Sequence, residues 1–156
     1  MSFEIEIKLN ENITDKLNEI QKRVKNLKPL FNQIGYTLID IVEENFESES
    51  FLGKPWSPLA DSTKKQKAKK GYTKILQNRG HLSESINFEA HEDKLILGTN
   101  LEYAPIHQFG GKAGKNHSAT IPARPFLPID KNKEMPRRIK EEILEAVEFY
   151  LKSIID

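Results

Sequence analysis

The apolar residues in the first third of the chain follow two different periods. From residue 3 to residue 9 they alternate with polar residues, which predicts a strand with one buried face. From residue 13 to residue 46 they recur every three or four positions, which predicts a long amphipathic helix. Because Pro29 lacks a backbone donor and clashes with the preceding turn, we expect it to kink or restart this helix. The predicted helical segments are therefore about 14–28 and 29–48.

The second half of the chain contains a predicted hairpin and a final helix. Apolar residues alternate in 86–90 and again in 94–99, on either side of a polar turn at 91–93. After residue 130 the apolar positions return to helical spacing. Pro136 is compatible with this helix only near its first turn.

The order of these elements predicts an α+β fold in a single domain, residues 1–156. We expect a small antiparallel sheet, made of the N-terminal strand and the hairpin near 86–99. It should pack against the Pro29-kinked helix and the C-terminal helix. Two long excursions, 49–81 and 103–128, complete the predicted architecture.

The excursion at 49–81 begins as a loop rich in glycine and proline around Trp56, the only tryptophan, which we interpret as a loop anchor. Asp61-Ser62 are predicted to cap a short helix that extends through Lys70. Nearly every position of that helix is polar, so we expect it to be mobile.

The excursion at 103–128 holds three of the eight glycines and four of the eight prolines. Prolines remove backbone donors and glycines permit positive φ, so we expect neither regular helix nor interior strand here. The apolar residues at both ends argue against simple disorder. The sequence therefore predicts an extended arm with apolar anchors.

Composition excludes several classes of protein. There are no cysteines, so disulfides, thiolate metal sites and cysteine nucleophiles are excluded, and a reducing compartment fits best. No apolar run is long enough to span a membrane, and the N-terminus does not read as a signal peptide. We expect a soluble protein made in the cytoplasm, with no membrane partner.

Charge is unevenly distributed along the chain. Residues 1–53 carry six bases and ten acids, whereas residues 54–81 carry eight bases and one acid. The predicted basic patch consists of Lys64, Lys65, Lys67, Lys69, Lys70, Lys74 and Arg79. Together with Tyr72 it supports the alternative function of a nucleic-acid-binding module using residues 63–79. A solvated face or an acidic protein partner is the favoured interpretation, because a single arginine gives little directed recognition.

Nothing in the sequence indicates catalysis or a cofactor. No nucleophile-elbow, phosphate-loop or dinucleotide motif is present. The four histidines do not pair at helical ligand spacing, so no metal is expected. We predict that the protein is not an enzyme.

Between residues 46 and 128 the chain resembles the virion morphogenesis, or tail completion, proteins of Mu-like and related contractile-tailed phages and prophages. The residues that carry the resemblance are Phe46, GKPWSPL at 53–59, Thr63, Lys67, Ile75-Leu76, Gly80-His81-Leu82, Ser85-Ile86, LGTN at 97–100, YAPIHQFGG at 103–111 and IPARPFL at 121–127. Arg79 stands before Gly80 where that family usually has a threonine. The first strand and the first half of the long helix carry no residues specific to the family.

The resemblance implies a structural virion component, assembled in the host bacterial cytoplasm, that finishes the tail so that it can join a filled head. The implied partners are further copies of the chain, as a ring, together with tail-tube, tail terminator or neck proteins. Nucleic acid is not expected as a direct ligand. We predict that Tyr103, Ile106, Phe109, Phe126 and Leu127 anchor the arm, that Gly110 and Gly111 turn it, and that Arg124 makes a directed hydrogen bond or ion pair. The arm anchors and assembly contacts are predicted to be Tyr103, Ile106, His107, Gln108, Phe109, Gly110, Gly111, Arg124, Phe126 and Leu127.

Overall fold

The structure, a computed structural model, describes Glu6 and residues 11–156. The predicted N-terminal strand lies outside the described residues. In chain order the elements are α1 (Glu11–Lys25), α2 (Lys28–Ser48), β1 (Ser50–Phe51), β2 (Lys54–Pro55), α3 (Asp61–Lys69), α4 (His81–Glu84), β3 (Asn87–Ala90), β4 (Leu95–Gly98), α5 (Ala104–Phe109), β5 (Gly111–Ala113), a 3₁₀ turn (Lys115–His117), β6 (Ala119–Ile121) and α6 (Arg137–Ile155). The fold is α+β, as predicted.

The long N-terminal helix is interrupted next to Pro29, as predicted. α1 ends at Lys25 and α2 begins at Lys28, with Pro29 in its first turn. Proline is tolerated there because the first helical N–H groups have no partner within the helix. The side chain of Asn26 accepts a hydrogen bond from the Lys28 N–H at 3.1 Å. Proline therefore restarts the helix, and the predicted division into two segments is confirmed.

The core follows the apolar face of α2 from end to end. Its first half packs with the fully buried Ile139 of α6, and its second half packs with Trp56, Leu82 and Phe126. The buried apolar residues of α2 are Leu30, Ile34, Leu38, Ile41, Val42 and Phe46. The second half of the core is the one that lies against the two excursions.

Within the described residues, the strands form three two-stranded antiparallel sheets, β1 with β2, β3 with β4 and β5 with β6. In the central hairpin, Phe88 lies opposite Leu97 and Ala90 opposite Leu95. This hairpin lies very close to α2: a Cβ added to Gly35 would meet the Phe88 ring 2.5 Å from Cε2 and 2.7 Å from Cγ. Glycine at this position allows the aromatic ring to rest on the helix backbone.

The expectation that 103–128 contains no regular helix is wrong for Ala104–Phe109, which form α5. Pro105 lies in its first turn, where a missing N–H costs nothing. Gly110 ends the helix with φ of 75°, a conformation that side-chain-bearing residues rarely adopt. β5 and β6 then form a hairpin whose residues are mostly exposed.

The short helix predicted at 61–70 is present as α3, but the expected capping is not. Ala60 occupies the N-cap position, and no side chain caps this end of the helix. Asp61 instead lies in the first turn, where a carboxylate still interacts favourably with the helix dipole. Among the described helices, none combines the length and apolar composition that crossing a membrane requires.

Candidate functional site at the junction of three sequence motifs

Three sequence motifs that are far apart in the chain meet beside the end of α2. They are the loop at 53–59, the α5 segment at 103–111 and the segment at 121–127. Gln108, at 1% exposure, connects the second motif to the third. Its side-chain oxygen accepts hydrogen bonds from the Phe126 and Leu127 N–H groups, both at 2.9 Å, and its amide donates to the Ile129 carbonyl at 2.8 Å.

Trp56 connects the first motif to the third. Its indole N–H donates to the Pro125 carbonyl at 2.8 Å. The ring packs edge-on against Phe46 with centroids 5.7 Å apart, and Phe46 in turn packs on the fully buried Phe126 at 5.3 Å. The indole therefore contributes both apolar contact and a directed bond to this junction.

Arg124 lies inside the junction and not on its surface. The side chain is 6% exposed. Its guanidinium donates from Nε to the Ser57 carbonyl at 2.8 Å and from Nη2 to the Pro58 carbonyl at 2.9 Å. Burial lowers the pKa of the guanidinium from its ordinary value. Arg124 therefore makes directed hydrogen bonds to carbonyls, and both acceptors belong to its own chain.

A cleft of about 530 Å³ opens next to the junction, between α3 and the segment that follows β6. Lys67, Lys70, His107 and Arg124 line it, together with apolar walls formed by Leu59, Leu76, Leu82 and Ile121. No aspartate or glutamate is among the described residues that line it. The cleft is therefore an apolar groove with cationic groups inside it.

Lys67 is buried, at 8% exposure, which corrects its assignment to the exposed basic patch. Its ammonium donates to the Gln77 carbonyl at 3.4 Å, the upper limit for such a bond. Burial lowers the pKa of Lys67, the nearby Glu49 carboxylate raises it, and the Arg124 charge lowers it further. The protein thus keeps an ammonium in a place where its desolvation is costly.

His107 joins the cleft to the junction. Its carbonyl accepts a hydrogen bond from the Arg124 N–H at 2.8 Å. Its ring Nδ1 is buried and has no hydrogen-bond partner in the part of the chain that the structure describes. Burial, and then the Arg124 charge, lower the pKa of the imidazole from its ordinary value of 6.5. The imidazole is therefore neutral at pH 7.

The other predicted arm residues lie around this site at different depths. Ile106, Phe109 and Leu127 are partly buried, whereas Tyr103 and Gly111 are exposed. Beyond them, residues 111–120 are exposed except for Ala113. The ends of the arm therefore pack on the body while its tip points to solvent, and the predicted assembly contacts there remain a prediction.

The remaining members of the basic patch lie at the surface. Lys65, Lys69, Lys70 and Lys74 are exposed. Two further members pair within the chain: Lys64 lies 4.0 Å from the Asp61 carboxylate, and Arg79 donates to the Tyr72 hydroxyl at 3.3 Å.

Asn45 is a member of the site that sequence analysis missed. It is 1% exposed, donates to the Phe126 carbonyl at 3.2 Å and accepts from the Leu52 N–H at 3.1 Å. A signal for it was present, because Asn45 is a polar residue on the apolar face of α2, next to Ile41 and Val42 in helical spacing. The described residues contain no group of histidines and carboxylates that could hold a metal ion.

Comparisons with known proteins identify the family of the chain. The model of the phage virion morphogenesis family matches residues 9–152. The chain is 36% identical to "Mu-like prophage FluMu G protein 2" of Haemophilus influenzae over 153 residues, 98% of this chain and 99% of that protein. It is 31% identical to "Putative capsid assembly protein G" of Escherichia phage Mu over 115 residues, 70% of each. No solved structure matches the chain. The chain belongs to the phage virion morphogenesis family.

Proposed function

We propose that the chain is a structural, non-enzymatic tail completion protein of a phage or prophage. In this proposal it assembles as a homo-oligomeric ring at the head-proximal end of the tail, in contact with tail-tube, tail terminator or neck proteins, and enables the head to join. Membership of a virion morphogenesis family supports the structural role and the place in the virion. The relatives' names, which refer to a Mu-like prophage and to capsid assembly, point in the same direction.

The observation that supports self-assembly is the exposed apolar surface of the two terminal helices, α1 and α6. No residue of α1 is buried, although apolar residues recur along one face of it. Leu17 and Val24 of α1, and Leu144, Phe149 and Ile155 of α6, are between 46% and 67% exposed. The two helices contact each other. Exposed apolar residues on both helices support a protein–protein interface that involves them.

The distribution of charge favours a head-to-tail contact, which is the kind that forms rings. Exposed carboxylates of α2, at Asp40, Glu43 and Glu47, lie on one helical face. Exposed lysines of α3, Lys65 and Lys69, lie on another. Two different and oppositely charged surfaces can pair between neighbouring copies in a head-to-tail contact.

The first experiment measures the oligomeric mass of the purified chain over a range of concentrations, alone and with tail tubes. We expect a ring of defined mass, visible by negative-stain electron microscopy, and labelled protein at the head-proximal end of the tubes. Phe149→Ser should weaken assembly about tenfold or more, because a large aromatic contributes strongly to interfaces. Ile96→Ser is the matched control, since Ile96 is 52% exposed and belongs to β4, not to either terminal helix.

Two results would contradict the proposal. One is a chain that stays monomeric at all concentrations, with and without tail tubes. The other is a closed twofold dimer with no further growth, because such a dimer uses the same surface on both copies.

The alternative function, a nucleic-acid-binding module using residues 63–79, rests on the exposed lysines Lys65, Lys69, Lys70 and Lys74. The structure gives this alternative less support than the sequence does, because Lys67 is buried and Arg79 is paired with Tyr72. Binding to short duplex DNA at about 150 mM salt separates the two functions, since a purely electrostatic site is strongly weakened there. Sub-micromolar binding would favour the alternative.

A further inference from the structure

We propose that the cleft between α3 and the segment that follows β6 binds the carboxylate side chains of an acidic peptide segment supplied by a protein partner. The ligand is defined by its chemistry: carboxylates spaced along an extended chain with apolar residues between them. The proposal concerns the cleft alone, and it does not depend on ring formation or on the place of the protein in the tail.

The cleft has an excess of positive charge that the chain itself does not neutralise. Lys67, Lys70 and Arg124 line it, and no acidic side chain among the described residues does so. The carboxylate of Glu49, which raises the pKa of Lys67, does not line the cleft and already accepts a hydrogen bond from the Ile75 N–H. Buried charges are costly unless they are paired. An anionic ligand would therefore be stabilised by groups that are already in position.

Lys67 also has donors to spare. An ammonium group has three N–H donors, and the structure shows one bond from it, the long one to the Gln77 carbonyl. The guanidinium of Arg124 has five N–H donors, of which two are used by Ser57 and Pro58. A carboxylate entering the cleft could accept charge-assisted hydrogen bonds from both residues.

The shape and walls of the cleft favour a peptide over a phosphate backbone. Lys67 and Arg124 are both more than nine-tenths buried, so the cationic groups lie inside the cleft and not along a ridge. A duplex presents its phosphates on a convex surface and is held by exposed lysines and arginines. The apolar walls, which include Leu59, Leu76 and Ile121, suit the aliphatic parts of a peptide.

The experiment uses the full chain and a capped synthetic peptide in which glutamate alternates with leucine. A peptide with glutamine in place of every glutamate is the neutral control, and inorganic phosphate and a short duplex DNA are the other probes. Binding is measured by calorimetry and by the fluorescence of Trp56, the only tryptophan, which is adjacent to the Ser57 carbonyl that Arg124 binds. We expect the acidic peptide to bind and the glutamine peptide not to bind.

Two matched variants locate the site. Lys67→Met removes the buried ammonium and keeps most of the aliphatic stem. It should weaken peptide binding about tenfold or more, because one charge-assisted hydrogen bond to the peptide is lost. Lys65→Met removes an exposed ammonium from the same helix and should change binding less than about twofold.

A measurement on the wild-type chain keeps the test valid if Lys67→Met does not fold. The Arg124 Nε–H and His107 ring signals should shift in nuclear magnetic resonance spectra when the acidic peptide is added, whereas the signal of the exposed Arg137 should not. No binding of the acidic peptide at about 1 mM, equal binding of the glutamine peptide, or equal competition by phosphate or duplex DNA would each overturn the proposal.

Discussion

Replacing Gln108 with leucine should cost this protein a large part of its stability. Leucine is comparable in volume to glutamine but branches one atom nearer the backbone, so it fills most of the same buried space with an apolar side chain. It removes three hydrogen bonds at once, two accepted from the Phe126 and Leu127 N–H groups and one donated to the Ile129 carbonyl. Because Gln108 is 1% exposed, water does not readily replace these bonds.

The magnitude follows from the partners left behind. A buried polar group that loses its partner costs about 1–3 kcal/mol, and here two donors and one acceptor are affected. Allowing for some relaxation of the 126–129 segment, the free energy of unfolding should fall by about 3–5 kcal/mol. Domains of this size have roughly 5–15 kcal/mol in total, so the variant should be folded but strongly destabilised.

The assay is equilibrium unfolding in urea, followed by Trp56 fluorescence and circular dichroism at a low protein concentration. With a slope of about 1–3 kcal/mol per molar urea, the midpoint should move by roughly 2 M. Gln66→Leu is the control, because Gln66 is an exposed glutamine on α3, and its substitution should change stability by less than about 0.5 kcal/mol.

A third variant tests the individual bonds. Gln108→Glu keeps an acceptor oxygen for the Phe126 and Leu127 N–H groups but, when ionised, cannot donate to the Ile129 carbonyl and carries a buried charge. Its deficit relative to wild type should therefore shrink as pH is lowered and the carboxyl group is protonated. A Gln108→Leu variant as stable as Gln66→Leu would refute the reasoning, since it would mean that the three bonds do not hold the motifs together.

Three further predictions concern other parts of the fold. Gly35→Ala should lower the free energy of unfolding by about 1–2 kcal/mol in urea titrations, because the clash of the alanine methyl group with the Phe88 ring outweighs the better helix propensity of alanine. Gly98→Ala is the control and should not share this loss, because a Cβ added there would meet no atom within 4 Å. The pKa of His107 is lowered in the folded chain, so as pH falls the unfolded chain takes up the imidazole proton before the folded chain does. The contribution of His107 to stability is therefore present above pH 6.5 and is lost as pH falls below that value. His107→Gln should flatten this part of a curve of stability against pH, and an unchanged slope would contradict the assignment. Arg124→Met should lower the thermal midpoint of the isolated chain, by an amount equivalent to about 2–4 kcal/mol, and a variant that folds as well as wild type but fails to assemble would instead restore the view of this residue as an assembly contact.

The parts of the fold that could be predicted from sequence are those in which a local pattern repeats. The division of the long helix at Pro29, the hairpin at 87–98 and the C-terminal helix all follow from the spacing of apolar residues or from the geometry of proline. In each case the deciding interaction connects residues that are close in the chain. The α+β class could be predicted for the same reason.

The candidate site depended on contacts between distant segments. Lys67 was assigned to the basic patch because its neighbours in sequence are polar, and the hydrogen bond predicted for Arg124 had no identified acceptor. The acceptor that buries Arg124 is a carbonyl 67 residues earlier in the chain, and no local pattern indicates that the two meet. The helix α5 was missed for a related reason, since Pro105 was counted as a helix breaker although it lies in a first turn.

The sequence by itself therefore determined which segments form helices and strands, because hydrophobic periodicity and proline act over a few residues. It also determined the family, because the motifs stand in order along the chain. Only the tertiary structure decided which polar groups are buried, which are exposed and which share the cleft. Burial of a charged or amide side chain depends on partners supplied by other segments, and folding brings those partners together.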